Sequence, residues 1–256
     1  IEFEIDPNVF REGEWVGDIS NNWFDCSNWG NLAVPDTLTN VTILAAATNE
    51  ARIADTSAFA ARFNFVGKSA NLSIENGATL LVESDGDSLL IDGDLNIADG
   101  GELDLEDALE GGARLLRGKW RNESTGGNDG FLQGGTSSVY FGGTTQQILS
   151  VNNTEESFAN LELDNTAGLL IQSPVAIQAY LNFVDGILTA ATGGSDGANI
   201  LGATLACLSF EDGATYTGAS DASHVDGVVE FNGTETDSYI FPVGDGSTLH
   251  LATEGI

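Results

Sequence analysis

The stretch Asp85–Leu105 reads DGDSLLI-DGDLNIA-DGGELDL. Asp85-Gly86-Asp87, Asp92-Gly93-Asp94 and Asp99-Gly100-Gly101 recur every seven residues, each followed by Leu or Ile. An alternating run of three or four residues makes a short strand. An Asp-Gly pair makes the bend beside it, because Gly tolerates positive φ and the Asp side chain caps nearby backbone. Seven residues is therefore about one strand plus one turn, or one side of a triangular coil. A chain that repeats this unit stacks coil on coil and buries every second side chain.

Short β-rich runs bounded by Gly, Asn or Asp extend the pattern in both directions. Before and within the repeat they are Val41–Leu44, Arg62–Phe65, Asn71–Ile74, Thr79–Val82, Ser88–Ile91, Asp94–Ile97 and Glu102–Leu105. After it come Arg114–Arg121, Ser138–Phe141, Gln146–Leu149, Asn160–Leu163, Leu169–Ile171, Val175–Ile177 and Tyr180–Val184. Ile187–Thr189, Leu205–Phe210, Val228–Phe231 and Tyr239–Val243 complete the series. Strands this short and closely spaced suit a β-solenoid better than a sandwich, and no long amphipathic pattern suggests βαβ layering. The expected fold class is all-β. The architecture is a right-handed parallel β-helix (β-solenoid) with about 20–25 residues per coil, and Val, Ile, Leu and Phe ladders fill its interior. Residues 1–40 are expected to form an N-terminal strand and a Trp-rich cap, and residues 41–256 the β-helix.

The cap is read from Trp15–Pro35, WVGDISNNWFDCSNWGNLAVP. Trp15, Trp23 and Trp29 lie within fifteen residues, set among Gly17, Asn22, Asn28 and Gly30. Large rings held on tight turns make an aromatic plug. The segment is similar to the N-terminal signature of secreted surface proteins from Bacteroidetes and related bacteria, where W-x-G, N-x-W, N-W and V-P introduce a parallel β-helix. Further segments resemble that group's coils: Ser137–Ser150 (SSVYFGGTTQQILS) and Phe158–Leu188, which carries FANLELDNTAGLLI and ends LNFVDGIL. Ser223–Val229 (SHVDGVV) and Phe241–Gly246 (FPVGDG) resemble its closing segment. The resemblance thus covers most of Trp15–Gly246. It implies a secreted, non-catalytic surface module, although the C-terminal sorting domain used in type IX secretion is missing from this sequence. Ile1–Ile5 (IEFEI) alternates like a strand already in progress, which predicts an excerpt of a longer chain.

The chain has 256 residues, with 39 acidic against 8 basic side chains and a formal charge of −31. Such a field repels nucleic-acid backbones and anionic membrane surfaces, and favours divalent cations and cationic partners. The most apolar window, Gly168–Val184, is broken by Gln172, Ser173, Pro174, Gln178 and Asn182, so it cannot span a bilayer. In a stacked fold Cys26 and Cys207 would lie about eight coils apart, nearly 40 Å at ~4.8 Å per coil. That is beyond disulfide reach. Both are expected to be unpaired, buried thiols, with Cys207 a small core residue; the alternative for Cys26 is an intermolecular bond.

Two side-chain groups invite a chemical reading. Asp85, Asp87, Asp92, Asp94 and Asp99 offer hard oxygen ligands that suit calcium, yet their spacing matches no calcium-binding loop and turn chemistry alone accounts for them. Calcium is the one candidate ion, and no cofactor is expected. Arg117, Lys119 and Arg121 alternate within Arg114–Arg121, as Glu102, Asp104 and Glu106 do fifteen residues earlier. Stacked in that register they form a ladder of opposite charges. The alternative is a basic strip that docks on an acidic neighbour or an acidic glycan. His224 and His250 have no partners at metal-ligand spacing and read as structural. Asn-x-Ser/Thr sequons at Asn40, Asn71, Asn122, Asn152 and Asn232 arise readily by chance in an Asn- and Thr-rich chain.

The functional expectation is a structural or adhesive module at the bacterial surface or in the extracellular space. It is not an enzyme, and its partners are copies of itself, further domains of a longer chain, or cell-surface glycans. Neither nucleic acid nor direct membrane insertion is expected. The rivals are a subunit of a self-assembling extracellular filament and a polysaccharide-active β-helix enzyme. A groove lined by carboxylates from successive coils, with an aromatic platform, would favour the enzyme.

Overall fold

The computed structural model describes residues 11–54, 66–83, 87–105, 111–125, 130–152, 155–190, 206–211, 213–220, 222–231 and 248–251. Strand β1 (Arg11–Trp15) is followed by a loop-rich segment and then by a strict rotation. Strands β2 (Thr39–Ile43), β3 (Ala51–Ile53) and β4 (Val66–Ser69) fall on a first, a second and a third sheet. The same order recurs in β5 (Leu72–Ile74), β6 (Thr79–Val82) and β7 (Ser88–Ile91), then in β8 (Leu95–Ile97), β9 (Glu102–Leu105) and β10 (Gly112–Leu115). It recurs once more in β11 (Lys119–Asn122), β12 (Phe131–Gln133) and β13 (Ser138–Gly143). The seven-residue repeat is thus one side of the rotation, since β7, β8 and β9 lie on three different sheets. Strand on strand, every pairing is parallel.

Among the described residues the second sheet ends at β12, and the rotation then runs over two sheets. β14 (Gln147–Val151), β16 (Leu169–Ile171), β18 (Leu188–Ala190) and β21 (Val225–Asp226) continue the first sheet. The third sheet takes β15 (Glu156–Asn165) and β17 (Val175–Asp185), which are ten and eleven residues long. β17 then pairs with both β19 (Leu208–Phe210) and β20 (Thr215–Thr217), and β22 (Val228–Phe231) and β23 (Thr248–Leu251) follow β19. The runs Val175–Ile177 and Tyr180–Val184, expected as two strands, are one strand with a register shift opposite Phe158/Asn160. The bulge bends the long strand and lets it stand for two shorter sides.

Alternation puts the core inside. Val41, Leu72, Leu95, Trp120, Leu149 and Ile171 form one inward row across the first sheet, each in register with the next. Ile43, Ile74 and Ile97 run beside them. These rows join inward residues of the other sheets in one buried cluster from Trp15 to Val229. Where the second sheet ends, rings from all three sheets meet: Trp120 lies 4.9 Å from Phe131, 5.9 Å from Phe141 and 5.6 Å from Phe158 between centroids. The buried Asn122 interrupts the Ile row and is satisfied there, its Nδ2 donating to Glu156 Oε2 at 3.0 Å.

The Trp-rich segment belongs to the stack more closely than a separate cap would. β1 pairs in register with β2, Trp15 against Ile43. Asn22 bridges Arg52 at the edge of the second sheet, and Trp29 bridges back to Trp15. The segment is a rudimentary first turn. Its three indoles are fully buried, with Trp29 edge-on to Trp15 and Trp23 at 5.1 and 4.7 Å. Trp29 Nε1 donates to the Trp23 carbonyl and Trp15 Nε1 to the Asn49 carbonyl, both at 2.8 Å. Buried Asn28 is the polar hub. Its Oδ1 accepts from the Ile19 and Ser20 amides, and its Nδ2 donates to Ser20 Oγ and the Asn22 carbonyl. Gly17, at φ +59°, lets the chain pass Asn49 where a Cβ would come within 2.5 Å of a carbonyl oxygen.

Two expectations are corrected here. Arg114–Arg121 is not one strand: β10 and β11 lie on different sheets, joined by a corner at which Gly118 takes φ +82°. The thiols of Cys26 and Cys207 form no disulfide, but Cys26 is exposed and Cys207 half-buried. Alternation gives the inward place to Leu208 instead. Ile1–Ile5 and Phe241–Gly246 lie outside the described residues.

A core built from in-register rows predicts a steep cost for breaking one. Leu95→Ala is expected to lower stability by about 2–5 kcal/mol, read as a lower denaturant midpoint with an unchanged slope. The outward-facing Leu90→Ala should cost markedly less in the same titration.

Candidate functional site

The charged residues singled out in the sequence sit at corners and outer faces. Asp92, Asp94 and Asp99 occupy two different corners of one turn, while Asp87 is buried at the start of β7. Each corner carboxylate reaches the next turn. Asp92 is ion-paired with Arg117, Asp94 Oδ1 accepts from the Lys119 amide at 2.8 Å, and Asp99 Oδ1 accepts from the Thr125 amide at 2.9 Å. The Asp94 corner continues upward: the Asp94 amide donates to Asn71 Oδ1, Asn71 Nδ2 to Asn40 Oδ1, and Asn40 Nδ2 to Glu12 Oε1. Five turns are tied by one chain of side chains. Of the residues read as calcium ligands, Asp92, Asp94 and Asp99 are thus spread over two corners and bonded to the next turn. Among the described residues no group of three or more His, Cys, Asp or Glu is arranged to hold a metal. Asp85 and Glu106 lie outside the described residues.

The charge ladder is corrected. Glu102 lies opposite Thr79, and Asp104 opposite Leu81 and Leu132, all on the second sheet. Lys119 faces Ile148 and Arg121 faces Asn96 and Ser150 on the first. A fifteen-residue offset falls short of one turn; corner contacts show separations of 23 to 26 residues. Arg117 therefore meets Asp92, and Arg121 pairs with Glu123 at 2.7 Å. Of the sequons, Asn40 and Asn71 are held in the corner chain and Asn122 is buried. His224 uses its backbone carbonyl to accept from Leu188.

A different group emerges on the outer face of the third sheet. Tyr140, Glu162, Asn182 and Thr217 form one row in register across β13, β15, β17 and β20. Asn160, Tyr180 and Thr215 form a second row beside it. Between and beside the rows runs a shallow groove of about 340 Å³, lined by Ser138, Asn160, Glu162, Tyr180 and Asn182 and by the turn at Gly135. Its polar groups are tied to one another. Asn182 Nδ2 donates to Glu162 Oε2 at 2.8 Å, Thr217 Oγ1 donates to Asn182 Oδ1 at 3.0 Å, and the Tyr180 hydroxyl contacts Thr217 Oγ1. Asn160 Nδ2 donates to the Ser137 and Gly135 carbonyls.

At the rim, Tyr140 donates its hydroxyl to Asp164 Oδ2 at 2.7 Å while the Arg114 guanidinium lies 4.3 Å above its ring. Burial first, and then the bond and charge of Asp164, push the Tyr140 phenol above its usual value of 10.0, against a weaker pull from Arg114. A phenol held protonated is a hydrogen-bond donor at neutral pH and a poor general base. Tyr140, its proton engaged by Asp164, is not tuned to abstract a proton.

Residues 14–111 match the model of a family described as a domain of unknown function, DUF8693. The match takes in the Trp hub, the Asp corners and the first rotations, and stops short of the groove. No curated protein and no solved structure matches the chain. Among the described residues no helix is long and apolar enough to cross a membrane.

Because the folded phenol of Tyr140 ionises later than an unfolded one, its contribution to stability is complete below pH 10 and is lost as pH rises through the raised value. Tyr216, raised by burial, behaves alike. Phenolate absorbance should show Tyr140 and Tyr216 ionising late, and Tyr140→Phe should remove one late ionisation and flatten the alkaline loss of stability. Loss of an ordinary ionisation in the variant, rather than a late one, would contradict the raised Tyr140 value.

Proposed function

We propose that this chain is a right-handed parallel β-helix that serves as a non-catalytic structural and adhesive module of a secreted bacterial surface protein. A right-handed path is the strongly preferred connection between parallel strands of one sheet, and the resemblance of Trp15–Pro35 and Ser137–Leu188 to secreted surface proteins points the same way. The observation that carries the mechanical reading is the use made of the acidic residues. Asp92, Asp94 and Asp99 each cap the following turn. Carboxylates spent on corners hold a stack together; a polysaccharide-cleaving site needs them gathered opposite one scissile bond.

The charge of −31 suits this role in two ways. It keeps a stack with exposed strand edges soluble and discourages edge-to-edge pairing between copies. It also leaves nucleic acid and anionic lipid as poor partners.

The test is display on the source organism. Antibodies against the purified chain should label intact cells, and mild external protease should remove the label without lysis. Antigen found only after cell rupture would contradict a surface module.

A further inference from the structure

The geometry points to a binding site for an uncharged polysaccharide strand on the outer face of the third sheet, in the groove bordered by Asn160, Glu162, Tyr180 and Asn182. This assignment gives the adhesive module its ligand class and rests on that reading for its biological meaning, though not for its chemistry.

Four observations converge on this face. The groove is assembled from three successive strands, β13, β15 and β17, so its walls are as rigid as the sheet itself. Its side chains carry paired donors and acceptors of the kind that engage neighbouring sugar hydroxyls. Asn160 spends its amide hydrogens on the Ser137 and Gly135 carbonyls and keeps Oδ1 as an acceptor, Asn182 keeps one Nδ2 hydrogen, and Glu162 is a carboxylate that accepts up to about four hydrogen bonds, of which Asn182 uses one. The network Glu162–Asn182–Thr217–Tyr180 already fixes these side chains, so little rotamer freedom remains to be lost on binding. Finally, Tyr180 is half-exposed beside this polar set. Its ring offers an apolar, electron-rich surface to the C–H groups of a pyranose. Tyr140, by contrast, is covered by Arg114 and is not available for stacking.

The charge of the ligand follows from its surroundings. Glu162 borders the groove, Asp164 lies at its rim, and the whole chain carries −31. The cation at the rim, Arg114, is stacked on Tyr140. Uronic acids, sulfated sugars and phosphates would meet repulsion here, whereas hydroxyl groups would not. The direction follows from the register. The rows Asn160–Tyr180–Thr215 and Tyr140–Glu162–Asn182–Thr217 run along the stack, and strands about 4.8 Å apart repeat at close to the length of one pyranose unit. A linear glycan laid along the rows meets a hydrogen-bonding side chain at each strand, though not the same one. A peptide adding as a strand would need a sheet edge; this is a face.

The experiment is affinity electrophoresis of the folded chain in native gels containing xylan, mannan or a mixed-linkage glucan as neutral probes, and alginate or pectate as anionic ones. Tyr180→Ala, Asn182→Ala and Lys119→Ala, on the first sheet, are run beside the wild type, with thermal midpoints measured for all four. The expected result is retardation in at least one neutral gel and in neither anionic gel. Tyr180→Ala and Asn182→Ala should weaken it by about tenfold, roughly 1.4 kcal/mol, at little change in midpoint, and Lys119→Ala should leave it intact. No retardation in any neutral gel, or retardation that the two groove variants retain, would overturn the site. Labelling of intact cells that persists without glycan binding would leave the surface-module reading standing and this assignment refuted. Release of reducing ends along with Tyr180-dependent retardation would uphold the site and overturn the non-catalytic reading instead.

Discussion

The parallel register of one turn on the next is the constraint from which the rest of this molecule follows. Once Leu72 lies on Val41, Leu95 on Leu72 and Trp120 on Leu95, every second residue is committed to the interior and its neighbours to solvent. A slip of one residue would reverse both faces of a sheet. The inward rows contribute most of the stability by burial, each full-sized aliphatic side chain contributing about 1.5–3 kcal/mol relative to exposure. The corners contribute much less, because exposed ion pairs such as Asp92–Arg117 are worth about 0.2–1 kcal/mol. Their role is to make one register better than its rivals.

Polar groups inside the stack mark the places where its cross-section changes. Asn28 ties the loop of the first turn around the three indoles, with its amide fully used. Asn122 and Glu156 sit where the second sheet ends and β15 lengthens. Irregular backbone leaves donors that no strand neighbour satisfies, and a buried amide or carboxylate supplies the missing partner. The same register carries the outer face. Tyr140, Glu162 and Asn182 are brought into one row by strand pairing alone, and a row of this kind repeats along the stack direction as a groove.

Much of this was legible in the chain. The seven-residue Asp-Gly repeat gave the side length, and Thr79–Val82, Ser88–Ile91, Glu102–Leu105 and Leu169–Ile171 were read with the boundaries they have. The Trp cluster was recognisable as a plug because three indoles so close in sequence have few ways to avoid one another. What failed was the register of the charge ladder, whose fifteen-residue offset is shorter than a full turn. Charge complementarity suggested Glu102 over Arg117, but corners absorb extra residues, and Arg117 sits at one of them with Asp92. Short strands give no mark of which sheet they join, so β10 and β11 looked like one run. The groove was not legible, since Tyr140 and Asp164 are 24 residues apart and Asn182 and Glu162 are 20 apart. No local pattern links such residues before the register is known.

Site-directed cross-linking tests that register most directly. In a background with Cys26 and Cys207 replaced by serine, Ser73→Cys with Asn96→Cys places two thiols on outward neighbours of β5 and β8. Strand spacing of about 4.8 Å falls within disulfide reach, so mild oxidation should join them rapidly and raise the denaturation midpoint. Glu102→Cys with Arg117→Cys, the pair suggested by the fifteen-residue offset, should remain reduced under the same conditions. Efficient closure of the second pair and failure of the first would contradict the stack described here.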